Sequence, residues 1–142
     1  MRHFVLFLLF PIPALAWEFS PDPICTLFHQ NPSAQITVTF DPEPSQYQLA
    51  ITLEGRNWDP APNFGMGFDG GQALTIGTDR QVIQGSTLSV SDSGFGNVLN
   101  GLEFNQRVTA FTSNLAVSFS LEGAAEPVQQ FRDCTEPAPA LS

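Results

Sequence analysis

Apolar and polar residues alternate along much of the chain after residue 35. Two runs, 36–40 and 47–53, place apolar side chains at every second position. A period of two puts these side chains on one face of a half-buried strand. The segment from Asp41 to Gln46 holds two prolines, which lack a backbone donor and restrict the residue before them. The pattern therefore predicts two antiparallel strands joined by a turn.

Shorter apolar runs separated by turn residues follow towards the C-terminus. Gly70-Gly71, Gly85-Ser86 and Ser113-Asn114 are each predicted to lie in a hairpin turn. The whole pattern predicts about eight short strands at close spacing. Such spacing is typical of a mainly β domain, and we expect a single antiparallel β-sandwich or small barrel.

Two segments depart from the alternation before the last strand. Trp17 to Pro32 holds three prolines and is predicted to be irregular. Val98 to Phe104 is predicted to form one helical turn.

A C-terminal helix is predicted after Gly123. Ala124, Val128 and Phe131 recur there at positions i, i+4 and i+7, which is the spacing of one helix face. Cys134 follows Phe131 by three residues and shares this face. We therefore expect the Cys134 side chain to be directed towards the sheet.

Cys25 and Cys134 are the two cysteines of the chain. In an oxidising compartment two cysteines most simply pair with each other. A redox pair usually has the spacing C-x-x-C, and a zinc site needs more ligands than this chain offers. The sequence predicts a disulfide that closes the domain, and a loop of about 100 residues corresponds to roughly 4.7 kcal/mol in the chain-entropy account.

The N-terminus has the pattern of a secretory signal. A basic start, Met1 to His3, precedes the apolar run Phe4 to Phe10 and the small-residue site Ala14 to Ala16. The apolar run is shorter than the roughly 20 residues of a bilayer span. We expect an exported protein, in the periplasm or secreted, with no membrane span.

Cleavage after Ala16 divides the chain into three predicted parts. Residues 1–16 are the signal peptide, 17–135 form one β-rich domain, and 136–142 are a disordered tail.

The charge of the chain excludes one class of partner. Among 142 residues there are fourteen acidic side chains, five arginines and no lysine, for a formal net charge of −9. Nucleic acids are bound largely through phosphate neutralisation by Lys and Arg, so a nucleic-acid partner is excluded. Solubility accounts for the acidity itself.

Catalytic and cofactor motifs are missing from the sequence. It has no P-loop, H-E-x-x-H, C-x-x-C or dinucleotide fingerprint, so no cofactor and no metal is predicted. His29 is the one histidine after the predicted signal. It can serve a Ser-His-Asp hydrolase, although no G-x-S-x-G elbow supports that role and a packed or surface position is favoured.

The segment from Ser91 to Asn97 is the most distinctive polar loop. Its small residues allow a partner to approach the backbone closely, and Phe95 offers an exposed anchor, although a core position is favoured for this ring. Asp92 and Asn97 offer oxygen ligands to calcium, without the spacing that would make such a site specific. Asp92, Ser93, Phe95 and Asn97 are therefore assigned to a candidate binding loop.

Asp79, Arg80 and Trp58 complete the candidate binding residues. An arginine in a lysine-free protein can hold an anion or a carboxylate, although a local pair that fixes the turn is favoured. Trp58 offers a stacking surface for a sugar or peptide, although burial against the sheet is favoured.

Several segments resemble a group of small, uncharacterised exported proteins of Gram-negative bacteria. The segments that carry the resemblance are Trp17 to Pro21, Pro23 to Cys25, Leu74 to Ile76, Thr78 to Arg80, Ser91 to Asn105, Leu121, Gly123 to Ala125, Phe131 to Arg132, and Cys134. The resemblance implies a shared fold and no activity. Some chains of this kind bear the name of a component of excinuclease ABC, a DNA-repair enzyme, but this sequence lacks the Walker motif and the lysine that such a motor needs.

Together these observations favour a non-enzymatic exported domain that binds a protein, a peptide or an envelope component. A hydrolase that uses His29 and a calcium- or carbohydrate-binding module stay open as alternatives.

Overall fold

The computed structural model describes residues 16–136, which form two antiparallel β-sheets and two helices. The predicted signal peptide and the predicted tail lie outside the described residues, apart from their boundary residues Ala16 and Glu136. The elements in chain order are β1 (Glu18–Ser20), β2 (Cys25–Gln30), β3 (Ala34–Asp41), β4 (Gln46–Leu53), β5 (Phe64–Asp69), β6 (Leu74–Thr78), β7 (Val82–Gln84), β8 (Thr87–Asp92), α1 (Gly96–Glu103), β9 (Arg107–Phe111), β10 (Ala116–Ser120) and α2 (Ala125–Thr135).

The six strands of the larger sheet have the order β1-β2-β3-β4-β8-β7. The smaller sheet has four strands in the order β10-β9-β5-β6. The chain leaves the larger sheet after β4, forms β5 and β6 in the smaller one, and returns as β7 and β8. As a result β8 pairs with β4, and all neighbours in both sheets are antiparallel.

Alternation directs one face of each sheet into a common core. In the larger sheet Leu27 lies opposite Val38, and Val38 lies opposite Leu49, in register across three strands. In the smaller sheet Phe68 and Phe119 flank Val108 in the same way. Each of these side chains is at most 2% exposed. The predicted mainly β, sandwich-like fold is therefore confirmed.

The predicted irregular segment from Trp17 to Pro32 is wrong over most of its length. β1 and β2 occupy it as a hairpin, in which Phe19 lies opposite Leu27. Pro21 and Pro23 stand between the two strands, where no ladder hydrogen bond needs an N–H donor. The prolines mark the turn. Burial alternates along β2 at Cys25, Leu27 and His29, but the sequence pattern does not show this because Phe28 is also apolar.

The predicted hairpins are all present. Residues 41–46, 70–71, 85–86 and 113–114 each lie between or at the ends of antiparallel neighbours: β3 and β4, β5 and β6, β7 and β8, and β9 and β10. Gly85 has a φ of 64°, a backbone conformation that side-chain-bearing residues rarely adopt. Its position in the turn therefore favours glycine.

The helix α1 is longer than the single turn predicted from Val98, because it begins at Gly96. Val98, Leu99 and Leu102 are buried, so the helix packs against the sandwich. The ring of Phe68 lies directly on the backbone of Gly101, where a Cβ atom would come within 2.5 Å of the ring carbons.

The predicted C-terminal helix is confirmed as α2. Val128 and Phe131 are fully buried, and the Arg132 Nε atom donates to the Glu103 Oε1 atom at 2.8 Å, which joins α2 to α1. Cys134 is bonded to Cys25, with 6.0 Å between their Cα atoms. The predicted disulfide is thus present, and it fastens the end of α2 to the start of β2. None of the helices between residues 16 and 136 is long and apolar enough to cross a membrane.

Replacing both cysteines by serine should lower the free energy of unfolding by about 2–5 kcal/mol. The bond closes a separation of 109 residues, and without it the unfolded chain regains that conformational freedom. Urea unfolding of the oxidised protein and of the double variant measures the difference. The wild-type protein in reducing agent is the control, and it should unfold at the same urea concentration as the double variant. Equal midpoints for all three samples would contradict the expected contribution.

Gly101→Ala should destabilise the protein by about 1–3 kcal/mol, because the buried Phe68 ring has no room to move away from the new methyl group. Gly96→Ala in the same helix is the matched control, since nothing lies within 4 Å of the position that its Cβ atom would occupy. We expect the control to be neutral or slightly stabilising, as alanine favours helix. The urea unfolding midpoints of the two variants measure this difference. Equal midpoints would refute the packing argument.

Candidate functional site

A cavity of about 520 Å³, partly open to solvent, lies between the two sheets. Its wall comes from β4 and β8 on one side, β5 and β6 on the other, and the start of α1. The apolar side chains of this wall are Leu49, Phe64, Met66, Ile76, Val90, Phe95 and Val98. The volume falls within the range of about 300–1,000 Å³ that small-molecule sites occupy.

The two candidate loops predicted separately from the sequence meet at this cavity. β6 ends at Thr78 and β8 ends at Asp92, and both residues line the cavity together with Arg80 and Asn97. The Arg80 Nη2 atom lies 3.6 Å from the Asp92 Oδ2 atom. A mostly apolar cavity thus has an ion pair and an exposed amide on its polar side.

The structure corrects the interpretation of Arg80 as a local partner that fixes its own turn. Its guanidinium pairs with Asp92, whereas the turn is held by the Arg80 N–H donating to the Thr78 Oγ1 atom at 3.0 Å. Asp79 takes no part in either contact. The paired side chains are 71% and 46% exposed, so the ion pair contributes little to stability and is accessible to a ligand.

Phe95 is buried, as favoured from the sequence, and it also forms part of the cavity wall. It is 6% exposed and stacks on Tyr47 with 5.3 Å between the ring centroids. Phe95 is also the residue that precedes the first turn of α1, and it offers no side-chain cap to the helix. Packing of its ring therefore fixes where the helix begins at the cavity.

The remaining residues of the loop have polar roles. Asn97 is exposed and lines the cavity, while Ser93 donates its backbone N–H to the Asp92 Oδ1 atom at 2.7 Å and lies outside the lining. Asp92 is thus held by one hydrogen bond and one ion pair. Among residues 16–136 there is no cluster of three or more Asp, Glu, His or Cys side chains able to hold a metal ion.

Trp58 lies away from the surface, which contradicts its use as a stacking platform for a sugar or peptide. It is 3% exposed, and its Nε1 atom donates to the Ile51 carbonyl oxygen at 3.1 Å. Its ring meets Phe64 edge to face. The favoured burial against the sheet is therefore confirmed, and a wall residue of the cavity is packed against it.

His29 lies in an aromatic cluster away from this cavity. Its ring stacks on Trp17 at 4.7 Å and meets Phe119 edge to face at 6.1 Å. Burial lowers the pKa of His29 below its ordinary value of 6.5, and a hydrogen bond with the Ala16 backbone acts in the opposite direction. The Nδ1 atom has no hydrogen-bond partner within the described part of the chain. The surroundings thus keep the imidazole neutral, and its ring contacts are aromatic.

A second depression of about 430 Å³ borders the smaller sheet near Phe111. The Phe111 ring covers the backbone of Gly65, and a Cβ atom at this glycine would come within 2.5 Å of it. None of the described residues that line this depression is charged. The cavity beside Arg80 and Asp92 combines apolar surface with charged groups that can orient a ligand, so it is the candidate site.

Comparison of the chain with family models, with curated proteins and with solved structures finds no match. Function is therefore inferred from the geometry of the site.

The lowered pKa of His29 predicts a loss of stability on acidification. The folded state disfavours the proton, so the unfolded state binds more protons as the pH falls through 6.5 and stability decreases. His29→Phe keeps a ring against Trp17 and removes the titration. Between about pH 7.5 and pH 5 the melting temperature of the wild type should fall further than that of the variant. Equal decreases would show that His29 does not carry this dependence.

Proposed function

We propose that the protein is a non-enzymatic, exported binding domain that holds a small, largely apolar molecule, such as an envelope component, between its two sheets. The observation that carries this proposal is the cavity itself. Its apolar wall and its exposed Arg80–Asp92 pair combine the two properties of small-molecule sites, a surface to bury and a few polar groups to orient the ligand.

Burial of an apolar ligand supplies the driving force. Each Å² of apolar surface removed from water contributes roughly 25 cal/mol. The half-buried side chains of Val90 on one sheet and Ile76 on the other provide such surface from both sides. A ligand with an aromatic or alkyl group therefore fits this cavity better than a polar polymer does.

The disulfide supports an oxidising compartment. Structural disulfides persist in the periplasm and outside the cell and are rare in the cytosol. Together with the secretory pattern of residues 1–16, this favours a periplasmic or secreted protein.

The surroundings of His29 count against the alternative hydrolase. A catalytic histidine needs a nucleophile on one side and an orienting group on the other. His29 stacks instead on Trp17 and packs against Phe119, within a buried aromatic cluster.

The charges count against a DNA-repair role. Arg80, Arg107 and Arg132 each form an ion pair with a carboxylate, and the chain has a net charge of −9. Phosphate binding would have to compete with these pairs.

Binding of the neutral, apolar dye N-phenyl-1-naphthylamine tests the proposal. Its fluorescence should rise in a saturable manner with the wild-type protein. Val90→Phe fills the cavity from β8 and should weaken binding by about tenfold. Ser89→Phe is the matched control, because the neighbouring residue of the same strand faces the opposite side of the sheet.

Circular dichroism and melting temperature establish that the variants fold. If Val90→Phe does not fold, Ile76→Phe fills the cavity from β6 and takes its place, with Thr75→Phe as its control. Absence of saturable binding to the wild type, or equal binding by filling and control variants, would contradict the cavity as the site.

A further inference from the structure

We infer that the ligand of this cavity carries a polar group without net charge, and that Asp92 is the residue that disfavours anionic ligands. This role of Asp92 rests on the proposed binding function. It concerns the chemical class of ligand and not the existence of binding.

The polar side of the cavity is electrically balanced. The Arg80 guanidinium supplies hydrogen-bond donors, and 3.6 Å away the Asp92 carboxylate supplies acceptors. An uncharged group such as a hydroxyl or an amide can accept from the first and donate to the second. Such a ligand meets both partners without separating them.

An anionic ligand would bind to this cavity less favourably than an uncharged one. A carboxylate or sulfonate bound to Arg80 would lie beside the carboxylate of Asp92, which already occupies the same guanidinium. The two negative groups would repel each other, and the net charge of −9 on the chain would add to this repulsion. Because both side chains are more than one-third exposed, solvent screening limits the penalty to about two- to fivefold in affinity.

The N-terminal end of α1 is a second feature of the cavity, besides Arg80, that favours anions. Gly96, Asn97 and Val98 line the cavity, and the helix has no side-chain cap and no acidic residue in its first turn. The N-terminal end of a helix favours negative charge. Asp92 is the one carboxylate among the described residues that line the cavity, so its removal would leave Arg80 and this helix end without an anion in the lining.

Two dyes with a common body separate this effect from apolar binding. N-phenyl-1-naphthylamine is neutral, whereas 1-anilinonaphthalene-8-sulfonate carries a sulfonate on the same anilinonaphthalene frame. The wild type should bind the neutral dye more tightly. Asp92→Asn should strengthen binding of the anionic dye by about two- to fivefold, whereas it should not strengthen binding of the neutral dye. Asparagine keeps the Oδ1 acceptor that Ser93 uses, so the loop should be preserved.

Asp69→Asn is the matched control for overall charge. Asp69 forms a similar ion pair with Arg107 at 3.4 Å, with both side chains more than half exposed, and lies outside the cavity lining. Its replacement removes the same charge from the protein. We expect a larger gain for the anionic dye in Asp92→Asn than in Asp69→Asn, and a gain that shrinks as salt is added.

Arg80→Gln provides a change of opposite sign. It removes the positive side chain that lines the cavity and should weaken binding of the anionic dye by a larger factor than binding of the neutral dye.

The outcomes distinguish the two proposals. Failure of the neutral dye to bind the wild type would overturn the proposed function. Normal binding of the neutral dye, with equal gains for the anionic dye in Asp92→Asn and Asp69→Asn, would overturn the role of Asp92 alone. Tighter binding of the anionic dye by the wild type would also overturn it.

Discussion

The bond between Cys25 and Cys134 is the constraint on which the position of the cavity depends. It fastens α2 to β2, and the buried Phe131 of α2 then packs near Tyr47, with 6.2 Å between the ring centroids. Tyr47 in turn stacks on Phe95, which forms part of the cavity wall and precedes α1. A contiguous series of packed rings thus connects the covalent link at one end of the fold to the site, and these rings hold the loop before α1 in place.

The order of strands explains why the cavity lies where it does. α2 contacts β1 and β2, at one edge of the larger sheet, and α1 contacts α2 through Arg132 and Glu103. The cavity lies towards the other edge, between β4 and β8 of the larger sheet and β5 and β6 of the smaller one. The disulfide and α2 stabilise the first edge, away from the space between the sheets that the candidate loops border.

Alternation in the sequence predicted most strands, turn residues predicted all four hairpin turns, helical spacing predicted the C-terminal helix, and the number of cysteines predicted the disulfide. β1 and β2 were missed because prolines in a short segment suggest irregular chain, although here they stand only between strands. Arg80 and Asp92 were both selected, but their contact could not be predicted. It depends on the chain crossing from one sheet to the other between β6 and β7, and a turn between strands of different sheets looks in sequence like any hairpin turn.

The two polar features of the fold differ in what they can do because they differ in exposure. His29 is buried among Trp17 and Phe119, and the same burial that lowers its pKa shields it from a substrate. The Arg80–Asp92 pair contributes little to stability because water reaches both side chains. For that reason the fold loses little when a ligand group forms hydrogen bonds with them. A weak ion pair beside an apolar cavity is therefore better suited to selecting a ligand than to holding the sheets together.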